Sequence, residues 1–288
     1  MESIAIVGAG NVGITLGCLL KKKGRQIAGV ISRTEESAQR GAEIIGTEGY
    51  TEIFPLLETA NIIFITTPDR VIEETCQQIS RQGGFKAGDL VIHFSGSHSS
   101  QILSSARDSG AAVMSVHPLQ TIPGPEAGIR NLPGSYFAVE GDEQGLSFVR
   151  SLISDLEGHL LEIPTEMKPL YHASACVVSN YFVAIVRLGL SMMEQLGIPK
   201  ENALKALLPL IRGALQNIET VGVPQGLTGP ISRGDDSTIR DHFTVMNKEM
   251  PDCVPLYGEL GKYTVKVALE KGSIDKKQAQ RLQKVLEV

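Results

Sequence analysis

Residues 4–13 read IAIVGAGNVG, a short apolar run that delivers the chain into Gly8, Gly10 and Gly13. The run is a strand. The three glycines of a GxGxxG turn meet three needs: a tight turn, close backbone approach to a pyrophosphate, and close packing of the next helix on the sheet. A helix predicted over 11–23, with Val12, Leu16, Leu19 and Leu20 on its apolar face, follows at once. Its first amides, from Asn11, Val12 and Gly13, lack helical partners and, with the dipole, favour a diphosphate. A second strand over 26–31 supplies the context that makes the motif informative.

That strand ends in Ser32, Arg33 and Thr34. An NAD site places an acidic side chain here to accept the ribose hydroxyls. A guanidinium flanked by two hydroxyls instead suits a 2′-phosphate, to which it offers paired donors. NADP is therefore expected over NAD. The competing reading leaves Arg33 solvated and gives the ribose to Glu35 or Glu36.

Length and charge set the bounds around this motif. A chain of 288 residues can hold two domains, each with its own core. A formal net charge of −5 leaves no basic face for a nucleic acid. The first strand begins at residue 4, which leaves no space for a targeting peptide, and no apolar stretch is expected to reach membrane-spanning length. Cys18, Cys76, Cys176 and Cys253 show no metal-like spacing and are expected as free thiols of a cytoplasmic protein.

Beyond residue 34 strands and helices alternate. ANIIFI over 60–65 reads as a buried parallel strand that ends in Thr66, Thr67, Pro68 and Asp69 beside the cofactor. Further strands are expected over 90–93, 112–116, 136–139 and 159–163, with helices between them and a loop over 123–134 bracketed by prolines and glycines. From about Met167 no strand is expected. The long helix over 168–197 is apolar around most of its circumference and must be buried on several sides, either in the core of the second domain or in a subunit interface. A boundary near Pro164 gives an α/β domain over 1–164, with a doubly wound, mostly parallel sheet, and an all-α domain over 165–288.

Three clusters carry possible chemistry. His117 follows a strand and titrates near working pH, and Ser95, at the end of the preceding strand, could fix its tautomer. Lys168, His172, Cys176 and Ser179 fall on one stripe of the long helix with Asn180 beside it. Buried without partners, such a stripe would cost several kcal/mol, so it is expected to face a cleft or water. Thr228, Gly229, Pro230, Arg233, Gly234 and Asp235 form a rigid turn in which Arg233 could clamp a carboxylate or pair with Asp235. His242 and Asp241 can be plain surface residues.

GAGNVG, the strand-end SRT and the all-helical second half resemble the 6-phosphogluconate dehydrogenase-like superfamily, which includes ketopantoate reductases, β-hydroxyacid dehydrogenases, pyrroline-5-carboxylate reductases and prephenate dehydrogenases. HFSGS, HPLQT, KPLYHASACVVSN and LTGPISRGD resemble more closely the Rossmann-like oxidoreductases whose helical C-terminal domain has no assigned function. The resemblance covers nearly the whole chain. It implies a Rossmann-type NADP domain and a helical domain like the C-terminal domain of 6-phosphogluconate dehydrogenase. Prephenate dehydrogenases pair a serine and a His-Pro after successive strands, places that Ser95 and His117 match. Ketopantoate reductases put a Lys and an Asn one turn apart on the long helix; here the place one turn before Asn180 is Cys176, so a lysine role falls to Lys168.

The expected function is NADPH-dependent reduction of a small 2-oxo or 3-oxo carboxylic acid, with ketopantoate the leading specific guess. His117 or Lys168 would supply the proton, and Arg233 or Asn180 would hold the carboxylate. An imine reductase of the pyrroline-5-carboxylate type, a non-catalytic NADP sensor, and a deazaflavin in place of NADP are the alternatives. A homodimer without membrane or nucleic-acid partners completes the expectation.

Overall fold

Strands β1 (Ser3–Val7), β2 (Gln26–Ile31), β3 (Gly49–Tyr50), β4 (Ile62–Ile65), β5 (Leu90–His93), β6 (Ala112–Pro118), β7 (Tyr136–Gly141) and β8 (His159–Glu162) form one sheet in the order β3-β2-β1-β4-β5-β6-β7-β8. The computed structural model describes residues 2–287. The first six strands run parallel; β7 turns antiparallel to β6, and β8 runs parallel to β7. Alternating side chains of one strand feed two cores, as the pleat requires. Ile4, Ile6, Phe64, Ile92 and Val116 lie in one, and Ala5, Val7, Ile63, Ile65 and Val91 in the other. Each such side chain contributes about 1.5–3 kcal/mol by leaving water, which explains strand sequences with so little polar alternation. The chain leaves β1 to one side for β2 and β3 and returns to the other side for β4, so the carboxyl ends of β1 and β4 form the switch point where ligands bind in such sheets.

Two local expectations change. Residues 123–134 contain a helix, Pro125–Asn131, in which proline stands in the first turn, where its missing N–H costs nothing. Its Gly128 packs so closely on helix Asn11–Lys22 that an added Cβ would lie 2.3 Å from the Thr15 hydroxyl. Pro125, read as a loop marker, is thus a helix start, and Gly128 within the bracketed stretch is a helix contact. The strand expected to stop at Val116 continues through His117 and Pro118, because β7 pairs with it antiparallel, Ala138 opposite His117.

The chain divides into two compact units between Val178 and Ser179, later than the boundary near Pro164. Lys168 accounts for the shift: its side chain is fully buried within the sheet unit, so helix Lys168–Val178 belongs there. The long helix is interrupted by a turn at Ser179 (φ −114, ψ −71) and resumes as Asn180–Gln195. Thr165–Gln195 is long and apolar enough, by length and composition, to cross a bilayer, which corrects the expectation that no stretch approaches that length. Its first turns are committed to the sheet through Lys168 and Tyr171.

The second unit has its own core, built from Ile239, Phe243, Val254, Val265, Leu282 and neighbouring residues of its later helices. Helix Asn180–Gln195 contributes only Leu190 as a buried residue. Burial of that helix in the core of the second domain is therefore ruled out.

Candidate active site

The glycine turn has the geometry that its sequence demands. Gly8 adopts φ +120, a left-handed value that favours glycine, and a Cβ there would lie 2.8 Å from the backbone of Thr66. A Cβ on Gly13 would lie 2.4 Å from the Gly8 carbonyl oxygen. Thr66 secures the turn by donating its hydroxyl to Gly8 O at 2.7 Å. Gly10 precedes the helix in extended conformation, with no side chain capping the helix and no acidic residue in its first turn. Anion-binding amides are thus left open, and the residues present fit a dinucleotide diphosphate. A cleft alongside is lined by Val12, Thr66, Thr67, Asp69, Phe94 and Ser95. The buried Thr67 hydroxyl has no protein partner there, a polar group left for a ligand. Pro68 follows on the rim, exposed. Asn11 donates its side-chain amide to Ile122 O at 3.2 Å, so its backbone, not its side chain, faces the turn's task.

At the end of β2, Arg33 is exposed and, among the described residues, has no ion-pair partner. Thr34 caps helix Glu35–Ile45 by accepting from Ser37 N, so its hydroxyl has a structural duty beside any ligand contact. Ser32 is half-buried between them, and Glu35 and Glu36 occupy the first turn, where acids favour the dipole.

The carboxyl ends of β5 and β6 meet helix Lys168–Val178 in a second cluster. His117 Nδ1 and the Tyr171 hydroxyl are 2.8 Å apart. Ser95 does not perform the tautomer-fixing role expected of it. Its hydroxyl accepts the amides of Ser97 and His98, each at 3.2 Å, and so closes its own turn, while its amide donates to His93 Nδ1 at 3.1 Å. Tyr171 takes the role instead. His172, one residue on, lies with its ring centroid 6.0 Å from that of His117. Gly96 permits this convergence: a Cβ there would stand 2.5 Å from His172 Nδ1 and 2.8 Å from His117 Nε2. His172 Nε2 and Cys176 Sγ are 3.5 Å apart, while buried Nδ1 has no partner.

Burial, then the nearby Lys168 and His172 charges, lower His117 to about 4, with Asp69 acting the other way. Burial first, and then Lys168, push His93 down to about 3. Both imidazoles are therefore neutral at pH 7. Tyr171 rises to about 12 through burial and keeps its proton. Lys168 does not face a cleft as a proton donor. Its ammonium donates to the Ser115 hydroxyl and lies 4.0 Å from Glu140 Oε1. Burial lowers it to about 8, against the opposing pull of Glu140 and Asp69.

Sequence reasoning missed Tyr171, Gly96, His93 and Glu140. Tyr171 sits one turn after Lys168 within KPLYH, and Glu140 is the single charge in the apolar strand YFAVEG; those were the available signals. Asn180 and Arg233 lie in the other unit, both exposed. Asp235 is no ion-pair partner for Arg233 but the cap of helix Asp236–Glu249, accepting from Thr238 N and from the hydroxyls of Thr238 and Ser237. The Thr228–Asp235 turn closes on its own unit, with Ser232 near Ser273 and Gly234 in left-handed conformation against Gln278.

Residues 2–118 match the Rossmann-like domain and residues 135–264 the domain of unknown function DUF2520. Among solved structures it is similar to protein TM1727 from Thermotoga maritima, at 28% identity over 93% of this chain and 99% of that one, with a TM-score of 0.72. It also matches a candidate NADP oxidoreductase, BF3122 from Bacteroides fragilis, at 23% identity over 92% and 98% of the two chains and a TM-score of 0.72. A pyrroline-5-carboxylate reductase from Coxiella burnetii shares the fold at 16% identity, 99% and 98% coverage and a TM-score of 0.61. No curated protein matches the chain.

Proposed function

We propose that the protein is an NADPH-dependent oxidoreductase that reduces the carbonyl of a small 2-oxo or 3-oxo carboxylic acid, ketopantoate being the first substrate to test. The observation that carries this reading is the meeting of His117, His172 and Tyr171 over Gly96, at the same sheet edge as the glycine turn. The amides of residues 10–13 would hold the diphosphate, and Arg33 with Ser32 and Thr34 the 2′-phosphate. NADPH, when bound, supplies the hydride.

The chain's own task is to hold the carbonyl oxygen and deliver a proton to it. His117, neutral at working pH, cannot act as an imidazolium acid. With Tyr171 donating to Nδ1, the imidazole carries its hydrogen on Nε2, aimed past Gly96. As the alkoxide forms, Nε2–H passes its proton to the oxygen while the tyrosine hydroxyl replaces it at Nδ1. A phenol near 12 is a sufficient acid for this, because an alkoxide holds its proton more tightly, and solvent then reprotonates the half-buried tyrosine.

Imine reduction is the second reading, and the low proton affinity of His117 favours it: a protonated imine carries its own proton and needs no acid. The candidate NADP enzyme and the pyrroline carboxylate reductase among the similar structures support the nicotinamide reading in general. Purified protein with NADPH is to be offered oxo acids, ketopantoate among them, and cyclic imines. Oxidation with the oxo acids is expected, oxidation with the imines alone replaces the first reading by the second, and tight NADPH binding without turnover of either overturns catalysis in favour of a nucleotide sensor. Four free cysteines fit a reducing compartment such as the cytoplasm, and the exposed apolar helix Asn180–Gln195 supports a homodimer.

A further inference from the structure

In the register of the sheet His93 on β5, Ser115 on β6 and Glu140 on β7 stand side by side, and all three are buried. Residues directly opposite one another on neighbouring strands share a face. Three polar groups therefore form a row across three neighbouring strands of a largely apolar sheet, and Lys168, fully buried, closes over it.

The contacts within the row are unequal. Glu140 Oε1 accepts from Ser100 N at 2.7 Å, and Oε2 accepts the hydroxyls of Ser100 at 2.8 Å and Thr165 at 2.9 Å. The carboxylate is satisfied without the lysine, which stays 4.0 Å away and donates to Ser115. The positive charge thus rests over β6 instead of closing on its counter-charge. A buried pair held this loosely returns little of its desolvation penalty, and apolar replacements of such pairs are often as stable or more so. Stability alone does not account for it.

The lysine's charge acts on the acid–base group, second to burial in lowering the proton affinity of His117. Ser115 and His117 are two residues apart on one strand and share a face. Lys168, Tyr171 and His172 are neighbours on one helix face. The ammonium on Ser115 and the Tyr171 hydroxyl at His117 Nδ1 are thus two contacts between one helix face and one strand face.

We propose that Lys168, kept charged by Glu140, is a positioning residue that seats its helix on β6, sets the Tyr171 hydroxyl against His117 Nδ1, and adds its positive charge to the groups facing that imidazole. The proposal rests on the reading of His117 as the group that handles the proton. The other titratable groups facing His117 are Tyr171 and His172, from the helix that carries Lys168, and Asp69, from the turn after β4, whose negative charge acts in the opposite sense.

The test is a histidine titration followed by NMR on the full-length, cofactor-free protein with labelled imidazole carbons, the His117 signal being assigned by its loss in His117→Gln. The wild-type midpoint is expected near 4. In Lys168→Met it rises by about one pH unit, a tenfold gain in proton affinity; Lys168→Arg, which keeps the charge, leaves it low. Because the single neutral variant strands a buried carboxylate, the double variant Glu140→Gln/Lys168→Met removes both charges together and shows the same rise. An unchanged midpoint in the double variant, or an equal rise in Lys168→Arg, overturns the proposal. The readout needs no substrate, so failure of the turnover assays leaves it standing, and failure of the titration leaves the assays standing.

Discussion

Gly96 is the residue at which the site is most exposed to a small change. A methyl group there meets both imidazoles well inside contact distance, and both belong to backbone-anchored rings rather than flexible chain ends. Gly96→Ala is expected to lower kcat/KM about a hundredfold, the scale of an ångström-sized misplacement, while NADPH affinity measured by fluorescence titration stays within a few-fold. On the proposed reading, Arg33 is the corresponding residue for cofactor choice. Removing a charge-assisted bidentate contact costs about 1.5–3 kcal/mol, so Arg33→Ala should weaken NADPH binding by about ten- to a hundredfold and leave NADH binding unchanged. An equal loss for both cofactors would give the 2′-phosphate to other groups.

At the scale of elements, the contact between helices Asn11–Lys22 and Pro125–Asn131 fixes the slope of the nucleotide-binding helix on the sheet. Gly128 allows it, since any side chain there would enter the Thr15 hydroxyl or Ile122. Gly128→Val overpacks the contact and is expected to cost about 1–3 kcal/mol, read as a lower urea midpoint with weakened NADPH binding. Helix Lys168–Val178 teaches a related lesson. Its stripe of polar residues was legible from the spacing alone, yet the direction it faces was not, because i and i+4 neighbours define a face of a helix without saying what lies opposite. The sheet edge lies opposite, and Lys168 is consumed inside it.

Two predictions concern the whole molecule. His93 and His117 bind protons less readily when folded than an ordinary imidazole near 6.5, at about 3 and about 4. Between those values and 6.5 the unfolded chain binds more protons than the folded one, so stability rises with pH across that window and falls as the solution is acidified. The urea midpoint should drop from pH 6.5 toward pH 4.5, and His93→Asn, which keeps an acceptor for Ser95 N, should flatten the drop. The second prediction concerns assembly. Val178 is 75% exposed, Val183 67% and Tyr181 61%, with Phe182 and Ile185 beside them. A run of this kind exceeds what a lone soluble chain commonly leaves in water. Sedimentation at micromolar concentration should give a dimer, and Val183→Asp with Tyr181→Asp should give a monomer; a wild-type monomer would contradict it.

The nucleotide turn, most of the alternation of strands and helices, and the change to an all-helical second half were legible from the chain alone, because each depends on residues near one another in sequence: glycines at fixed offsets, apolar runs, capping residues. Which groups meet at the site was not. His117 and Tyr171 are 54 positions apart and touch only because β6 runs on through Pro118 beside β7 and the lysine helix is set in one phase. A shift of one residue in a strand reverses the face of every side chain, and about a quarter turn of a helix presents a different residue. Local pattern fixes neither register nor phase; packing of the whole unit does, and with it the choice of Tyr171 over Ser95 and the burial of Lys168.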